Sequence, residues 1–162
     1  MAFVDLDHDD PVKFSSFYNV FGAVGFGGMN LVEDVKVIQF FLKRIFTAVI
    51  PDAKPWGEMT VDGKVGPITR AWITKFQIEA RKSNANVLID GLIDKAGNAN
   101  NASNWETSIS RTKYSIRVLN TNLLVKDSEV YKNLETHPSV PQDVRNIFMQ
   151  IHAVGPPMHY AV

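Results

Sequence analysis

The run Asp62-Gly63-Lys64-Val65-Gly66-Pro67-Ile68-Thr69-Arg70-Ala71-Trp72-Ile73-Thr74-Lys75-Phe76-Gln77 restricts the possible folds of this chain more than any other segment. Asp62-Gly63 suits a tight turn, because glycine adopts positive φ at no steric cost, and its apolar flanks Val61 and Val65 predict a short hairpin or bulged turn. Pro67 fits the first position of a helix, where its missing amide hydrogen is not needed. On that helix Ile68, Ala71, Trp72 and Phe76 are expected to point inward, with Arg70, Thr74, Gln77 and Arg81 on the outer face.

Upstream, Asn30 with Glu33 three residues later has the form of a capping box, and a helical stripe follows at once. Leu31, Val35, Ile38, Leu42, Ile45, Phe46 and Val49 share one face, with Glu33, Lys36, Lys43 and Arg44 opposite. Phe40 falls among those charges; the N-terminal arm is expected to cover it, the alternative being a contact patch for another protein. The helix should stop near Pro51, and Pro51 to Gly57 reads as a loop. Residues 1–30, with an acidic start and glycines at 22, 25, 27 and 28, hold no sustained period and read as an arm lying on the domain.

Ile89-Asp90-Gly91-Leu92-Ile93-Asp94 echoes the first Asp-Gly turn and is expected to pair with it as a small sheet, although too little repeats to make a duplicated domain. Residues 95–104 read as a surface loop. A third helix is predicted from about Thr112, burying Tyr114, Ile116, Leu119 and Leu123. Asp127 or Ser128 would cap a short helix through Leu134, and Ser139 with Gln142 frames a last one carrying Val144, Ile147, Phe148 and Ile151. After Gly155-Pro156-Pro157 the tail should be extended.

The chain has 162 residues, 45% of them hydrophobic and 21% charged, as expected of one globular body that folds without a partner. Lys plus Arg balances Asp plus Glu at 17 each, so no overall field favours nucleic acid or an anionic membrane; a neutral carbohydrate or zwitterionic peptide suits it better. Without cysteine there is no disulfide, thiolate nucleophile or cysteine-ligated zinc. The acidic start does not resemble an export signal, and no run reaches the roughly 20 apolar residues of a membrane span. Access to a cell wall would then require lysis or specialised delivery.

Other chemistries lack their residue patterns. Asp5, Asp7 and Asp9 alternate as in a calcium loop, but Asp10 stands where the turn needs glycine and Ser16 where a bidentate Glu is needed. His8, His137, His152 and His159 show no paired metal-ligand spacing, so neither metal nor cofactor is expected. The glycines at 22–28 are not followed by Gly-Lys-Ser/Thr, and no Gly-x-Ser-x-Gly elbow occurs. Glu58, Glu79, Glu106, Glu129 and Glu135 could in principle supply the raised-pKa acid of a wall hydrolase, but none stands in a recognisable catalytic motif.

Two segments in order resemble the small peptidoglycan-binding domains that tether bacterial cell-wall enzymes to their polymer. Val35, Lys36, Ile38, Gln39 and Leu42 match that family's first helix, Val-Lys-x-Leu-Gln-x-x-Leu. Asp62, Gly63, Gly66, Pro67, Thr69, Ile73, Phe76 and Gln77 match its second half. The resemblance covers about residues 31–82. Trp72 stands where the family usually has alanine, which requires the packing to open or the ring to lie at an edge, and the connection from Ile45 to Val61 is longer than the family's.

The resemblance implies a mainly α fold: a three-helix orthogonal bundle with small turn and hairpin elements. The expected organisation is an arm at 1–30, a core at 31–126 with a loop insertion at 94–111, and a helical extension at 127–162. It also implies non-catalytic binding of peptidoglycan, for which Trp56, Arg70, Thr74 and Gln77 are the candidate contacts. The alternatives are a protein–protein adaptor in a phage or secretion assembly, using Phe40 or the arm, and a small cell-wall hydrolase. On the leading expectation, changing Arg70 and Gln77 together weakens wall retention without moving the melting temperature.

Overall fold

The computed structural model describes residues 16–97, 112–154 and 159–161, and side chains at 17–97 and 112–150. Asp5, Asp7, Asp9, His8, Glu106 and Gly155-Pro156-Pro157 therefore lie outside the described residues, as do the side chains of Ile151, His152 and His159, whereas the extended tail expected after the prolines is present at His159–Ala161. The fold is mainly helical: α1 is Val32–Arg44, α2 Pro67–Lys82, α3 Ser115–Lys126, α4 Ser128–Tyr131 and α5 Gln142–Val154. A π-helical turn, Ile45–Val49, and a 3-10 turn, Pro51–Ala53, continue α1 into its loop, as Pro51 predicts. Among the described residues four short strands make two antiparallel pairs, β1 (Ser16–Tyr18) with β4 (His159–Ala161) and β2 (Val24–Gly25) with β3 (Leu92–Ile93).

Several local expectations give way to tertiary contacts. Asn30 does not cap α1: its backbone is left-handed (φ 53°), and its side chain holds the amide and carbonyl of Gly25 and the carbonyl of Gly28. Asp127 does not cap α4 with its side chain, which instead forms a two-point ion pair with Arg44, at 2.7 Å from Nε and 2.9 Å from a terminal nitrogen. No strands flank Asp62-Gly63, and β3 pairs with β2, not with the first Asp-Gly turn.

A side-chain clasp replaces the missing hairpin. Gln39, buried on α1, accepts from the amides of Asp62 (3.1 Å) and Gly63 (2.9 Å) through Oε1. Its Nε2 lies 3.0–3.1 Å from Asp62 Oδ1, the Lys64 carbonyl and Thr69 Oγ1 in the first turn of α2. One amide thus joins α1, the turn and α2, and both its ends are satisfied.

The second Asp-Gly turn carries the same device. Gln77, fully buried on α2, accepts from Gly91 N (2.9 Å) and places Nε2 within 2.9–3.2 Å of Asp90 Oδ1, the Leu92 carbonyl and Ser115 Oγ at the start of α3. Each Asp also accepts the amide two residues on, from Lys64 or Leu92, at 3.0 Å, and Gly63 and Gly91 have φ of 77° and 73°. The sequence echo is therefore a structural one, with α2 common to both units.

The core face of α2 runs through Thr69, Ile73, Phe76 and Ala80, flanked by Trp72 and Gln77, so Ala71 is exposed and Ile68 only partly buried, against expectation. Trp72 is buried edge-on to Phe46, with ring centres 5.4 Å apart, and points Nε1 at the Trp56 carbonyl (3.4 Å). The long connection after Ile45 supplies both contacts. The indole and the extended loop thus accommodate each other.

The C-terminal helices complete the core. Phe40 is 3% exposed, with Leu123, Val130, Tyr131 and Leu134 beside it, which removes Phe40 as a contact patch; residues 1–15 of the arm expected to cover it lie outside the described residues. Phe41 stacks on Phe148 at 6.0 Å, and Tyr18 meets Phe148 edge-on at 5.0 Å. Phe17, Tyr18, Val20 and Val24 belong to that core, so the described part of the 1–30 segment contributes side chains to the interior. Asn120 satisfies the backbone of Tyr18 on both sides and accepts from the Tyr131 hydroxyl at 2.6 Å; burial keeps that phenol protonated by raising its pKa well above the usual value.

Gln39→Ala leaves the turn amides, the Lys64 carbonyl and Thr69 without this partner, and should cost about 2–4 kcal/mol in urea denaturation. Asp62 is exposed, but the Lys64 amide and then the Gln39 amide hold its carboxyl below its usual 3.8, so its stabilisation is present above pH 3.8 and lost as pH falls through the lowered value. Asp62→Asn should accordingly flatten the acid limb of the melting temperature against pH.

Candidate functional site

An open groove of about 560 Å³ lies between α2 and the second Asp-Gly turn. Arg70, Ala71, Thr74 and Ile78 form the α2 wall, Ile89, Asp90 and Gly91 the opposite one, and Phe26 stands at the side. Ala71, which the sequence pattern assigned to the core, leaves the floor shallow.

The walls are fixed by contacts beneath them. Gln77 holds the Asp90-Gly91 turn from α2, and the β2–β3 pairing brings residues 24–28 alongside. Phe26 N donates to Gly91 O (3.1 Å), and a methyl group on Gly25 would collide with that same carbonyl, so the close approach needs glycine. Asn30 locks the Gly25–Gly28 turn from within. The Phe26 ring, 64% exposed, is thereby held against α2, where the Arg70 guanidinium lies 4.6 Å from its centre.

The charges in the groove differ in availability. Arg70 makes no ion pair with any described residue, whereas Lys75 is tied to Glu79 at 2.8 Å. Asp90 spends Oδ1 on Gln77 and Leu92 N, and Oδ2 has no hydrogen-bond partner among the described residues. Thr74 donates its hydroxyl back to the Arg70 carbonyl at 3.1 Å, which leaves its oxygen as an acceptor.

Of the four residues singled out from sequence, Arg70 and Thr74 come together here. Gln77 does not face outward: it is buried under the turn, where it serves the Gly91 amide, the Leu92 carbonyl, the Asp90 carboxylate and the Ser115 hydroxyl. Trp56 is 91% exposed, but its loop packs on the Trp72 and Ile68 side of α2, away from the groove. Phe26, Ile89 and Asp90 were not foreseen as contacts. For Phe26 a signal existed, since an aromatic between Gly25 and Gly27 in a segment without periodicity has no core to enter.

The lysine partners hold Glu58 and Glu79 below the usual carboxyl range, Lys54 acting on the first and Lys75 on the second, opposite to the shift a hydrolase's general acid needs. Among the described residues no group of three or more His, Asp or Glu side chains could hold a metal ion, and no helix is long and apolar enough to cross a membrane. Comparisons with protein-family models, with curated proteins and with solved structures return no match.

The two α2 residues should separate cleanly. Arg70→Ala is expected to change stability by less than about 0.5 kcal/mol, whereas Gln77→Ala should cost about 2–4 kcal/mol, both read by urea denaturation. The double change proposed from sequence would therefore confound binding with unfolding.

Proposed function

We propose that the chain is a non-catalytic binder of bacterial peptidoglycan, acting through the groove between α2 and the Asp90-Gly91 turn. The observation that carries this reading is Arg70: an exposed guanidinium without an ion pair to a described residue, braced on Phe26 at the mouth of a groove on the very helix that bears the signature residues. The resemblance in residues 31–82 supplies the ligand class. The groove supplies a surface of suitable kind, shallow and open, with an aromatic, a cation and exposed polar groups. Most signature residues, among them Asp62, Gly63, Gly66, Pro67, Thr69 and Phe76, serve the turn, the helix start or the core, so specificity falls to the side chains around them.

A protein-partner role is the second reading, supported by the exposed Phe21, Met29, Leu31 and Val32 in and beside the first turn of α1. Cosedimentation with purified sacculi, with a zymogram in parallel, distinguishes the readings. The wild-type chain is expected to sediment without clearing the zymogram, and Arg70→Ala to lose most of that retention at unchanged melting temperature. Clearing of the zymogram would favour a hydrolase, and absence of both retention and clearing would favour the adaptor.

A further inference from the structure

The two clasp units are built alike, but their outer surfaces are used differently. In the first unit, the residue three before the clasping glutamine is Lys36, and its Cε lies 3.4 Å from where a methyl group on Gly63 would sit. Its ammonium holds the Asp143 carboxylate at the start of α5, at 3.0 Å. The cation over the first turn is thus already paired with a carboxylate of the chain itself. In the second unit the residue three before Gln77 is Thr74, equally placed at 3.5 Å from a methyl on Gly91, and the cation is Arg70, one helical turn earlier. No described carboxylate fills that position.

Resting on the peptidoglycan reading, we propose that this second surface binds the peptide stem of the polymer, and not its sugar rings. The stem's carboxylate would lie on Arg70 and the side-chain ammonium of its diamino acid on the free Oδ2 of Asp90. The Arg70 guanidinium, centred 4.6 Å over the Phe26 ring, makes no ion pair with a described residue, and the planar fork of a guanidinium matches a carboxylate in two-point geometry. Asp90 can accept from an ammonium without disturbing the turn, because the turn uses only Oδ1. Between these charges the groove offers Ala71, Ile78 and Ile89, which suit the methyl groups of alanine residues.

A sugar ring would find a poorer match. It needs an open aromatic face and several neutral donors and acceptors, whereas one face of Phe26 is taken by Arg70 and the Thr74 hydroxyl hydrogen by a backbone carbonyl. Lys75 does not compete for the peptide carboxylate, since Glu79 holds it. Because Phe26, Gly91 and Asn30 are fixed to one another before any ligand arrives, little ordering entropy opposes binding.

The test is an NMR titration of the full chain with four probes. These are a stem tetrapeptide acetylated at its N-terminus, as the polymer's own amide linkage requires, with its side-chain amine and carboxylates free; the same peptide with that side-chain amine also acetylated; its C-amidated form; and an N-acetylglucosamine tetramer. The first peptide should shift resonances of Phe26, Arg70 and Asp90, and either further blocking group should weaken it about tenfold or more, the loss expected for one charge-assisted hydrogen bond. Arg70→Gln and Asp90→Asn should each give a similar loss at unchanged melting temperature, the asparagine keeping the Oδ1 acceptor that the turn needs. Retention on sacculi with a silent first peptide, equal binding of the further blocked peptides, or the tetramer shifting those same resonances would overturn this assignment while leaving peptidoglycan binding standing. Peptide binding without sacculus retention would support the zwitterion site and refute the wall-binding reading.

Discussion

Two buried glutamine amides hold the arrangement of α1, α2 and α3. A primary amide offers both donors and acceptor in one plane, so a single side chain can close a turn from inside where a β-ladder would need two strands. Gln39 and Gln77 each do this for an Asp-Gly turn and reach on to a hydroxyl in the next helix, Thr69 or Ser115. Truncating either leaves several buried polar groups without that partner at once, which is why so small a group has so large a structural effect.

The rest of the molecule follows from those two fixed corners. With α1 and α2 set, the opposite face of α1 remains apolar through Val37, Phe40 and Phe41, and α3, α4 and α5 close over it, with the Arg44–Asp127 pair tying α1 to the start of α4. The segment before α1 enters the same core through Phe17 and Tyr18, where Asn120 replaces the backbone partners that a wider sheet would have provided. The second corner, by contrast, keeps its outer surface open, and the Phe26 turn walls it on one side. Stability and accessible chemistry thus occupy opposite sides of α2.

How much of this was legible varies with the range of the interaction. The Asp62-Gly63 and Asp90-Gly91 turns, the start of α2 at Pro67 and the buried stripe Val35, Ile38, Leu42 and Ile45 depend on local sterics and helical period, and they stand where the pattern puts them. Gln77 was expected on the outer face of α2 and is buried. Helical periodicity ranks faces by average polarity, and it cannot anticipate a polar residue buried by demand from a distant backbone, or a phenylalanine covered by residues far along the chain. Of the candidate site, Arg70 and Thr74 were visible; Phe26 and Asp90 join it only through the β2–β3 pairing and the Gln77 clasp.

By itself the sequence determined a mainly helical chain with two glycine turns, a helix beginning at Pro67 and a composition without excess charge, because turn sterics, proline geometry and periodicity act between near neighbours. Only the tertiary structure decided which face of α2 is core, what covers Phe40, and that Arg70 stands beside an open groove while Lys36 is already paired. Those outcomes rest on contacts between residues distant in the chain, where the competition among partners for a few buried hydrogen-bonding groups, and not local preference, sets the result.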